Sequence, residues 1–166
     1  MYYSDINEID TTNGIGVGVS IFVSGCRNHC KGCFQPETWN FKFGQEFTAE
    51  KKKLVLDLVS RPYIDFFSVL GGDPFEPENV PVVLDLINNV KSVNSNLKIF
   101  IWSGYLYEDL MSNESTKALL DVCDYLIDGR FELDKRDLHL KLRGSSNQRI
   151  VSLKESSLNN IIELED

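Results

Sequence analysis

The sequence lacks long apolar runs. No stretch approaches the roughly 18 consecutive apolar residues that a membrane-spanning helix needs. Its first ten residues, MYYSDINEID, are polar and acidic, unlike a secretory signal peptide. These two absences predict a cytoplasmic protein with no membrane partner. Because thiols stay reduced in that compartment, we do not expect disulfide bonds.

An excess of positive charge is also missing. The chain has 17 Lys and Arg residues against 25 Asp and Glu residues, a formal net charge of −8. A protein that binds the phosphate backbone needs a basic surface, so we expect no nucleic-acid partner. Segment 130–149 is locally basic, although acidic residues are interleaved with the basic ones. It is either a solvated surface or a docking face for a partner, and the mixed charges favour the first.

Histidine is scarce, with only His29 and His139 in the chain. A lone histidine such as His139 is more often a surface or core residue than a catalyst. Cysteine is scarce too, but three of the four cysteines lie in the short segment SGCRNHCKGCFQ, residues 24–35. Clustered thiols in a reducing compartment more often bind metal or do redox chemistry than form disulfides.

The apolar pattern predicts alternating strands and helices. Short β-branched or apolar runs predict buried strands at 17–25, 64–72, 97–104 and 124–129. Helical spacing predicts helices at 48–61, 79–93 and 115–123. Strand–helix repetition implies crossovers and a parallel sheet. A complete eight-fold barrel takes about 250 residues. We therefore predict one α/β domain, residues 1–166, built as an incomplete TIM-type barrel: an open, curved, mostly parallel sheet with helices outside.

Each predicted strand is followed by an unusual short motif. The first strand leads into Cys26, and the others lead into GGDP (71–74), SGY (103–105) and DGRF (128–131). Ligands of parallel α/β sheets bind at the carboxyl ends of the strands. The sequence therefore predicts that these four loops meet in a single site.

Three thiols, Cys26, Cys30 and Cys33, have the spacing C-x3-C-x2-C. A structural zinc takes four ligands, and neither His29 beside Cys30 nor Cys123 in an apolar segment suits the fourth position. We expect Cys123 to be a buried core residue. A four-iron cluster on three thiolates keeps one iron open, which suits an enzyme. An electron-transfer ferredoxin would need a fourth cysteine, and a zinc-stabilised interaction module is a further alternative.

The cysteine motif, followed by Phe34, resembles the cluster loop of the radical S-adenosylmethionine (SAM) superfamily. Further motifs resemble, in order, the family of anaerobic ribonucleoside-triphosphate reductase activating enzymes. They are NGIG (13–16), FVSGCRNHCKGCFQPETW (22–39), GGDPFEPENVP (71–81), WSGY (102–105), IDGRF (127–131) and RGSSNQRI (143–150). The chain departs from the family at Ile15 and Gly18, where proline and arginine are usual.

The resemblance implies a set of site residues. Cys26, Cys30 and Cys33 would hold the 4Fe–4S cluster, and the amino and carboxylate groups of SAM would chelate its open iron. The residues expected to contact SAM are Gly32, Cys33 and Phe34 at the adenine end, Gly71 and Gly72 at the methionine end, and Asp73 at the ammonium. Ser103 and Asp128, at the ends of the third and fourth strands, are placed to line the same pocket; the alternative is that they are a turn hydroxyl and a turn carboxylate.

The resemblance also implies the reaction and the partners. The expected activity is reductive cleavage of SAM to methionine and a 5′-deoxyadenosyl radical, which forms a glycyl radical on the large subunit of the anaerobic reductase. An electron donor such as flavodoxin is implied as well. Arg143, Asn147 and Gln148 are candidates for the docking surface. The alternative is a radical SAM enzyme that acts on a small molecule, such as a modified-base precursor.

Overall fold

A computed structural model describes residues 1–165 of the chain, and in that range seven strands form one open sheet. The strands are β1 (Tyr2–Asp10), β2 (Gly18–Val23), β3 (Gln45–Glu46), β4 (Phe66–Gly71), β5 (Lys98–Trp102), β6 (Tyr125–Asp128) and β7 (Arg149–Ser152). Their order across the sheet is β3-β1-β2-β4-β5-β6-β7. The prediction of an open α/β sheet is confirmed.

The sheet has a parallel centre and antiparallel edges. Strands β2, β4, β5 and β6 run parallel and coincide with the four predicted strands. Strands β1, β3 and β7 pair antiparallel with their neighbours and were not predicted. Most of β1 is partly or fully exposed, so its sequence lacks the apolar pattern of a buried strand. The sheet is therefore mixed, with the predicted parallel strands at its centre.

Four α-helices connect these strands within the described range. They are α1 (Ala49–Val59), α2 (Val80–Val93), α3 (Tyr107–Met111) and α4 (Glu114–Asp121), with short 3-10 turns at Pro36–Trp39 and Leu133–Lys135. The Thr48 side chain accepts a hydrogen bond from the Lys51 amide and caps α1, as its sequence predicts. Helix α3 was not predicted. No helix in the described part of the chain is long and apolar enough to cross a membrane.

The two faces of the sheet are packed differently. One face carries Ile21, Val69 and Ile101, which form the main core with buried helix residues such as Leu86 and Ile87. Cys123 lies in the same core and is fully buried, as predicted.

A second, smaller cluster lies on the opposite face of the sheet and contains Phe66, Phe100, Ile127 and Ile150. Leu142, from the loop before β7, packs against this cluster. The helices therefore cover one face, which leaves the other to loops and to the cavity described below.

The β1–β2 loop lies on this second face. The Ser68 hydroxyl donates to the carbonyl oxygen of Asn13 at 2.5 Å. A Cβ atom at Gly18 would lie 2.4 Å from the ring of Phe66, and one at Gly14 would lie 2.5 Å from it. Position 18 therefore has no room for a longer side chain, because Phe66 occupies that space.

Candidate functional site

A cavity of about 440 Å³ opens at the carboxyl ends of the parallel strands. Its lining includes residues from the loop after each central strand: Cys26 after β2, Gly71 and Gly72 at the end of β4, Ser103 after β5, and Gly129 after β6. The structure thus brings together the four loops that the sequence places at this edge.

All three clustered cysteines line this cavity and are partly exposed. The Cys33 amide donates to the carbonyl oxygen of Cys30 at 3.1 Å, in a tight turn at Gly32, where φ is +76°. Gly32 itself is not among the lining residues. A Cβ atom at Gly32 would lie 2.8 Å from the Leu133 side chain, so glycine allows the turn both its φ angle and its close packing.

Two of these thiols have raised pKa values. Burial, reinforced by the negative charge of Asp73, raises the pKa of Cys26 to about 11. Burial also raises the pKa of Cys30, although Arg130 partly opposes it. Metal ligands must be thiolates, so metal binding at these positions releases protons.

Across residues 1–165, no three His, Cys, Asp or Glu side chains converge closely enough to hold a single metal ion. An iron–sulfur cluster does not require such convergence, because each cysteine binds a different iron. The donor set, three cysteines that line one cavity, therefore fits a cluster better than a mononuclear ion.

Gly71 and Gly72 pack against the loop that follows β2. Gly71 has φ +107°, and a Cβ atom at Gly72 would lie 2.6 Å from the carbonyl oxygen of Gly25. The Gly72 amide donates to the Val23 carbonyl at 2.7 Å, and the Asp73 amide donates to the Gly25 carbonyl at 2.8 Å. The two glycines thus line the cavity and also let two backbone segments come into contact.

Asp73 lies behind the cavity wall and is fully buried. Its Oδ2 accepts hydrogen bonds from Asn28 Nδ2 at 2.9 Å and from the Gly104 amide at 3.0 Å. The Ser103 hydroxyl lies 3.0 Å from Oδ1, which also accepts from the Phe75 amide. Burial raises the pKa of Asp73 to about 7, although these donors oppose the shift. The carboxylate predicted to receive an ammonium is therefore engaged by the protein.

Asp128 is also behind the wall, whereas Ser103 lines the cavity as predicted by position. Oδ1 of Asp128 accepts from Arg149 Nε at 2.9 Å, and Oδ2 accepts from the Tyr107 amide at 2.7 Å. In this region Gly129, not Asp128, faces the cavity.

Phe34 lies at the mouth of the cavity and is 57% exposed. Its ring centroid is 5.0 Å from that of Phe131, and the Arg136 guanidinium carbon lies 5.3 Å from its centre. Leu138 is also exposed and lines the cavity. The mouth thus combines exposed apolar side chains with a cation.

The predicted docking residues tie the 130–149 segment to the end of β6. Gln148 Oε1 accepts from the Gly144 amide at 2.8 Å, and Gln148 Nε2 donates to the Gly129 carbonyl at 2.9 Å. Asn147 Nδ2 donates to the Arg130 carbonyl at 2.8 Å. Arg143 lines the cavity and donates to the Gln148 carbonyl at 3.3 Å. RGSSNQ is therefore a structural motif that shapes the cavity wall.

Two lining residues that sequence reasoning missed carry buried polar atoms. Oδ1 of Asn28 and Oε1 of Gln35 have no hydrogen-bond partner in the part of the chain that the structure describes. Buried acceptors normally have a donor, so a ligand with N–H groups would satisfy them. Asn28 could have been found from its position between two of the predicted thiol ligands.

The chain is similar to proteins of one known family. Residues 12–151 match the family model described as a 4Fe-4S single cluster domain. The chain is 36% identical over 156 residues to the anaerobic ribonucleoside-triphosphate reductase-activating protein of Salmonella typhimurium, covering 93% of this chain and 100% of the relative. The proteins of the same name from Vibrio cholerae and phage T4 are 39% and 37% identical over 152 residues each, covering 90% and 92% of this chain and 97% and 94% of the relatives.

The chain belongs to the family of anaerobic ribonucleoside-triphosphate reductase-activating proteins. The family resemblance seen in the sequence is therefore confirmed, and the family match supports an iron–sulfur cofactor. In this family member, the matched range contains all three clustered cysteines and the glycine-rich loop. The buried acceptors of Asn28 and Gln35 fit a nitrogen-bearing ligand beside the thiols.

Proposed function

We propose that this protein activates anaerobic ribonucleoside-triphosphate reductase by forming a glycyl radical on the large subunit of the reductase. The observation that carries the proposal is the position of three thiols in one cavity at the carboxyl edge of the sheet, in a chain whose relatives are named as activators of that reductase. It is an enzyme of the radical SAM type in this proposal.

The three cavity thiols would hold the cluster. Cys26, Cys30 and Cys33 supply three ligands for four irons, so one iron stays available to SAM. When bound, the reduced cluster would supply the one electron that cleaves SAM to methionine and a 5′-deoxyadenosyl radical, and that radical would take a hydrogen atom from a glycine Cα of the reductase to give 5′-deoxyadenosine. No side chain has to act as an acid or a base in that chemistry.

Residues in and next to the cavity wall would place SAM. In our proposal Phe34 and the backbone of Gly32 and Cys33 contact the adenine end, and Gly71 and Gly72 contact the methionine end. Ser103 lies in the same wall. Asp73 and Asp128 act indirectly, because Asp73 accepts hydrogen bonds from Asn28 and Ser103, and Asp128, the residue before Gly129, accepts from Arg149.

The apolar walls would exclude water from the reacting atoms. Trp102 and Leu142 both line the cavity, and the Trp102 indole N–H donates to the Leu142 carbonyl at 2.8 Å. This bond fixes the ring against the loop that covers the second face of the sheet. A dry wall protects a reactive radical from side reactions.

The open sheet suits a protein substrate. We interpret it as part of a TIM-type barrel, one radical SAM domain with its helices outside and its mouth open on one side. The exposed Phe34 and Leu138 and the adjacent Arg136 would meet the glycine-bearing segment of the reductase. We place the reaction in the cytoplasm, with an electron donor such as flavodoxin and with no nucleic acid or membrane involved.

Anaerobic reconstitution tests the proposal. We expect near-stoichiometric iron and sulfide for one four-iron cluster, SAM cleavage on reduction, and a glycyl radical signal on the reductase after mixing. Changing any of Cys26, Cys30 or Cys33 to Ser should abolish these properties, whereas Cys123→Ala should retain the cluster. Colourless protein with one bound zinc would contradict the proposal. SAM cleavage without any radical on the reductase would instead favour a small-molecule substrate.

A further inference from the structure

Glu76 is a fully buried carboxylate, 0% exposed, in the turn between β4 and α2. Its Oε1 accepts the backbone amide of Arg27 at 2.7 Å and the Tyr105 hydroxyl at 3.0 Å. Its Oε2 accepts from Arg27 Nη1 at 2.5 Å. The predictions from sequence gave this residue no role, and it does not line the cavity.

A buried carboxylate is costly unless it is paired and hydrogen-bonded, and an apolar group of similar size would often serve stability as well. The partners of Glu76 point to a different use. Arg27 directly follows Cys26, and the contact is made to its backbone N–H as well as to its guanidinium. A hydrogen bond to that amide fixes the peptide plane through which the chain leaves Cys26.

The guanidinium of Arg27 is held on its exposed side as well. Glu78, which is itself exposed, accepts from Nη2 at 2.6 Å, and the Phe41 ring lies 4.5 Å below the guanidinium carbon. Glu76 accepts from both the side chain and the backbone of Arg27, whereas Glu78 accepts from the side chain. Glu78 therefore offers a matched control, because it shares the cation but does not touch the peptide.

Asn28, the residue after Arg27, is also held by a buried carboxylate. Asn28 donates to the buried carboxylate of Asp73, three residues before Glu76. Two consecutive residues of the cysteine loop are thus tied to two buried carboxylates of the glycine-rich loop. Tyr105, in the loop after β5, also donates its hydroxyl to Glu76, so that loop is tied to the same carboxylate.

We propose that Glu76 is a positioning residue for the iron–sulfur cluster, which holds Cys26 in its ligating orientation through the Arg27 amide. The inference rests on the proposed function, since it requires a cluster on Cys26. Groups that orient metal ligands from behind typically contribute 10- to 100-fold to metal affinity, as an order of magnitude. If the cysteine loop is already held in place, cluster assembly has to order less of the chain.

The test compares Glu76→Ala, Glu76→Gln and the control Glu78→Gln in the anaerobically reconstituted full-length protein. The readouts are the rate of iron loss to a chelator, and the electron paramagnetic resonance spectrum and midpoint potential of the reduced cluster. We expect iron loss to be about 10- to 100-fold faster in Glu76→Ala. The rate of iron loss from Glu76→Gln should lie between those of wild type and Glu76→Ala, because its amide oxygen still accepts the Arg27 N–H. The rate for Glu78→Gln should stay within about twofold of wild type.

An unchanged spectrum and potential in both Glu76 variants, with iron loss within about twofold of wild type, would overturn the inference. Circular dichroism checks folding, and if Glu76→Ala does not fold, Glu76→Gln alone decides. If the Glu76 variants have a lower free energy of unfolding but an unchanged cluster spectrum, the role of Glu76 is purely structural. This outcome would equally overturn the inference. If wild-type protein takes up no cluster, the proposed function itself fails, and this outcome is visible before any variant is compared.

Discussion

Asn28 and Asp73 join the cysteine loop to the glycine-rich loop through one buried hydrogen bond of 2.9 Å. The same Nδ2 atom lies 3.7 Å from Sγ of Cys26. Asp73 in turn accepts from Ser103 and from the Gly104 amide, which follow β5. Three loops that are distant in sequence therefore share a single carboxylate directly behind the thiols.

Replacing Asn28 with Ala should destabilise the protein, because it removes a donor from a fully buried carboxylate. The expected loss is about 1–3 kcal/mol in the free energy of unfolding, measured by urea denaturation of the cluster-free protein. The exposed Asn159 offers a control, and Asn159→Ala should change stability by less than about 0.5 kcal/mol. Equal effects of the two substitutions would show that the bond to Asp73 does not stabilise the loops.

Gly72→Ala tests the close approach of the two loops. The added Cβ atom would lie 2.6 Å from the Gly25 carbonyl oxygen, so one backbone segment has to move. We expect a loss of about 1–3 kcal/mol in stability, as for other overpacked sites, together with a lower iron content after reconstitution. The free energy of unfolding and the iron content should be measured on the same preparation.

Gly129→Ala is the control for Gly72→Ala, because it separates the cost of an unfavourable φ angle from the cost of steric crowding. Gly129 has φ +98°, but the nearest atom to its added Cβ would be 3.6 Å away. This substitution should cost about 1–3 kcal/mol through its φ angle and should leave the iron content unchanged. If Gly129→Ala lowered the iron content as much as Gly72→Ala, crowding against Gly25 would not be the cause.

The sequence was informative where structure is local. The parallel strands are continuous apolar runs, so their position followed from composition, and the thiol spacing marked the loop whose three cysteines line the cavity. Strand β1 was missed because most of its residues are partly or fully exposed, so it has no strict apolar pattern. The direction in which Asp73 and Asp128 point could not be predicted, because it depends on which donors the fold brings to them. Glu76 was missed for the same reason, since its partner Arg27 is 49 residues away.

Arg149 should stabilise the folded protein near β6. Its position in a basic segment of the sequence does not by itself indicate this role. Its guanidinium pairs with Asp128, which is fully buried, and with Glu108 on α3. Arg149→Met would leave the Asp128 carboxylate buried without its cation, at an expected cost of about 3–5 kcal/mol in unfolding free energy.

The exposed i,i+4 pair of Lys117 and Asp121 provides the control for Arg149. Lys117→Met should cost no more than about 0.5 kcal/mol, because solvent screens that pair. Thermal or urea unfolding of both variants measures the difference. A cost for Arg149→Met as small as that for Lys117→Met would show that Asp128 does not depend on its cation.

Asp10 should make stability depend on pH in the acid range. Burial tends to raise its pKa, but hydrogen bonds from Ser20, Asn13 and Thr12 outweigh burial and hold the pKa below its ordinary value of 3.8. A carboxyl whose pKa is lower in the folded state stabilises the protein above its unfolded pKa, and that contribution disappears as the pH falls through the folded pKa.

Asp10→Asn should therefore be less stable than wild type at neutral pH, by about 1–3 kcal/mol, since charge-assisted bonds such as that from Ser20 at 2.5 Å are lost. This gap should begin to narrow as the pH falls below the ordinary carboxyl pKa of 3.8 and should close only below the lower pKa of folded Asp10, where wild-type Asp10 is protonated and loses the same bonds. Urea unfolding of the cluster-free proteins across this range measures the gap. A gap that stays constant from neutral to acid pH would mean that the charge of Asp10 does not hold the β1–β2 loop on the sheet.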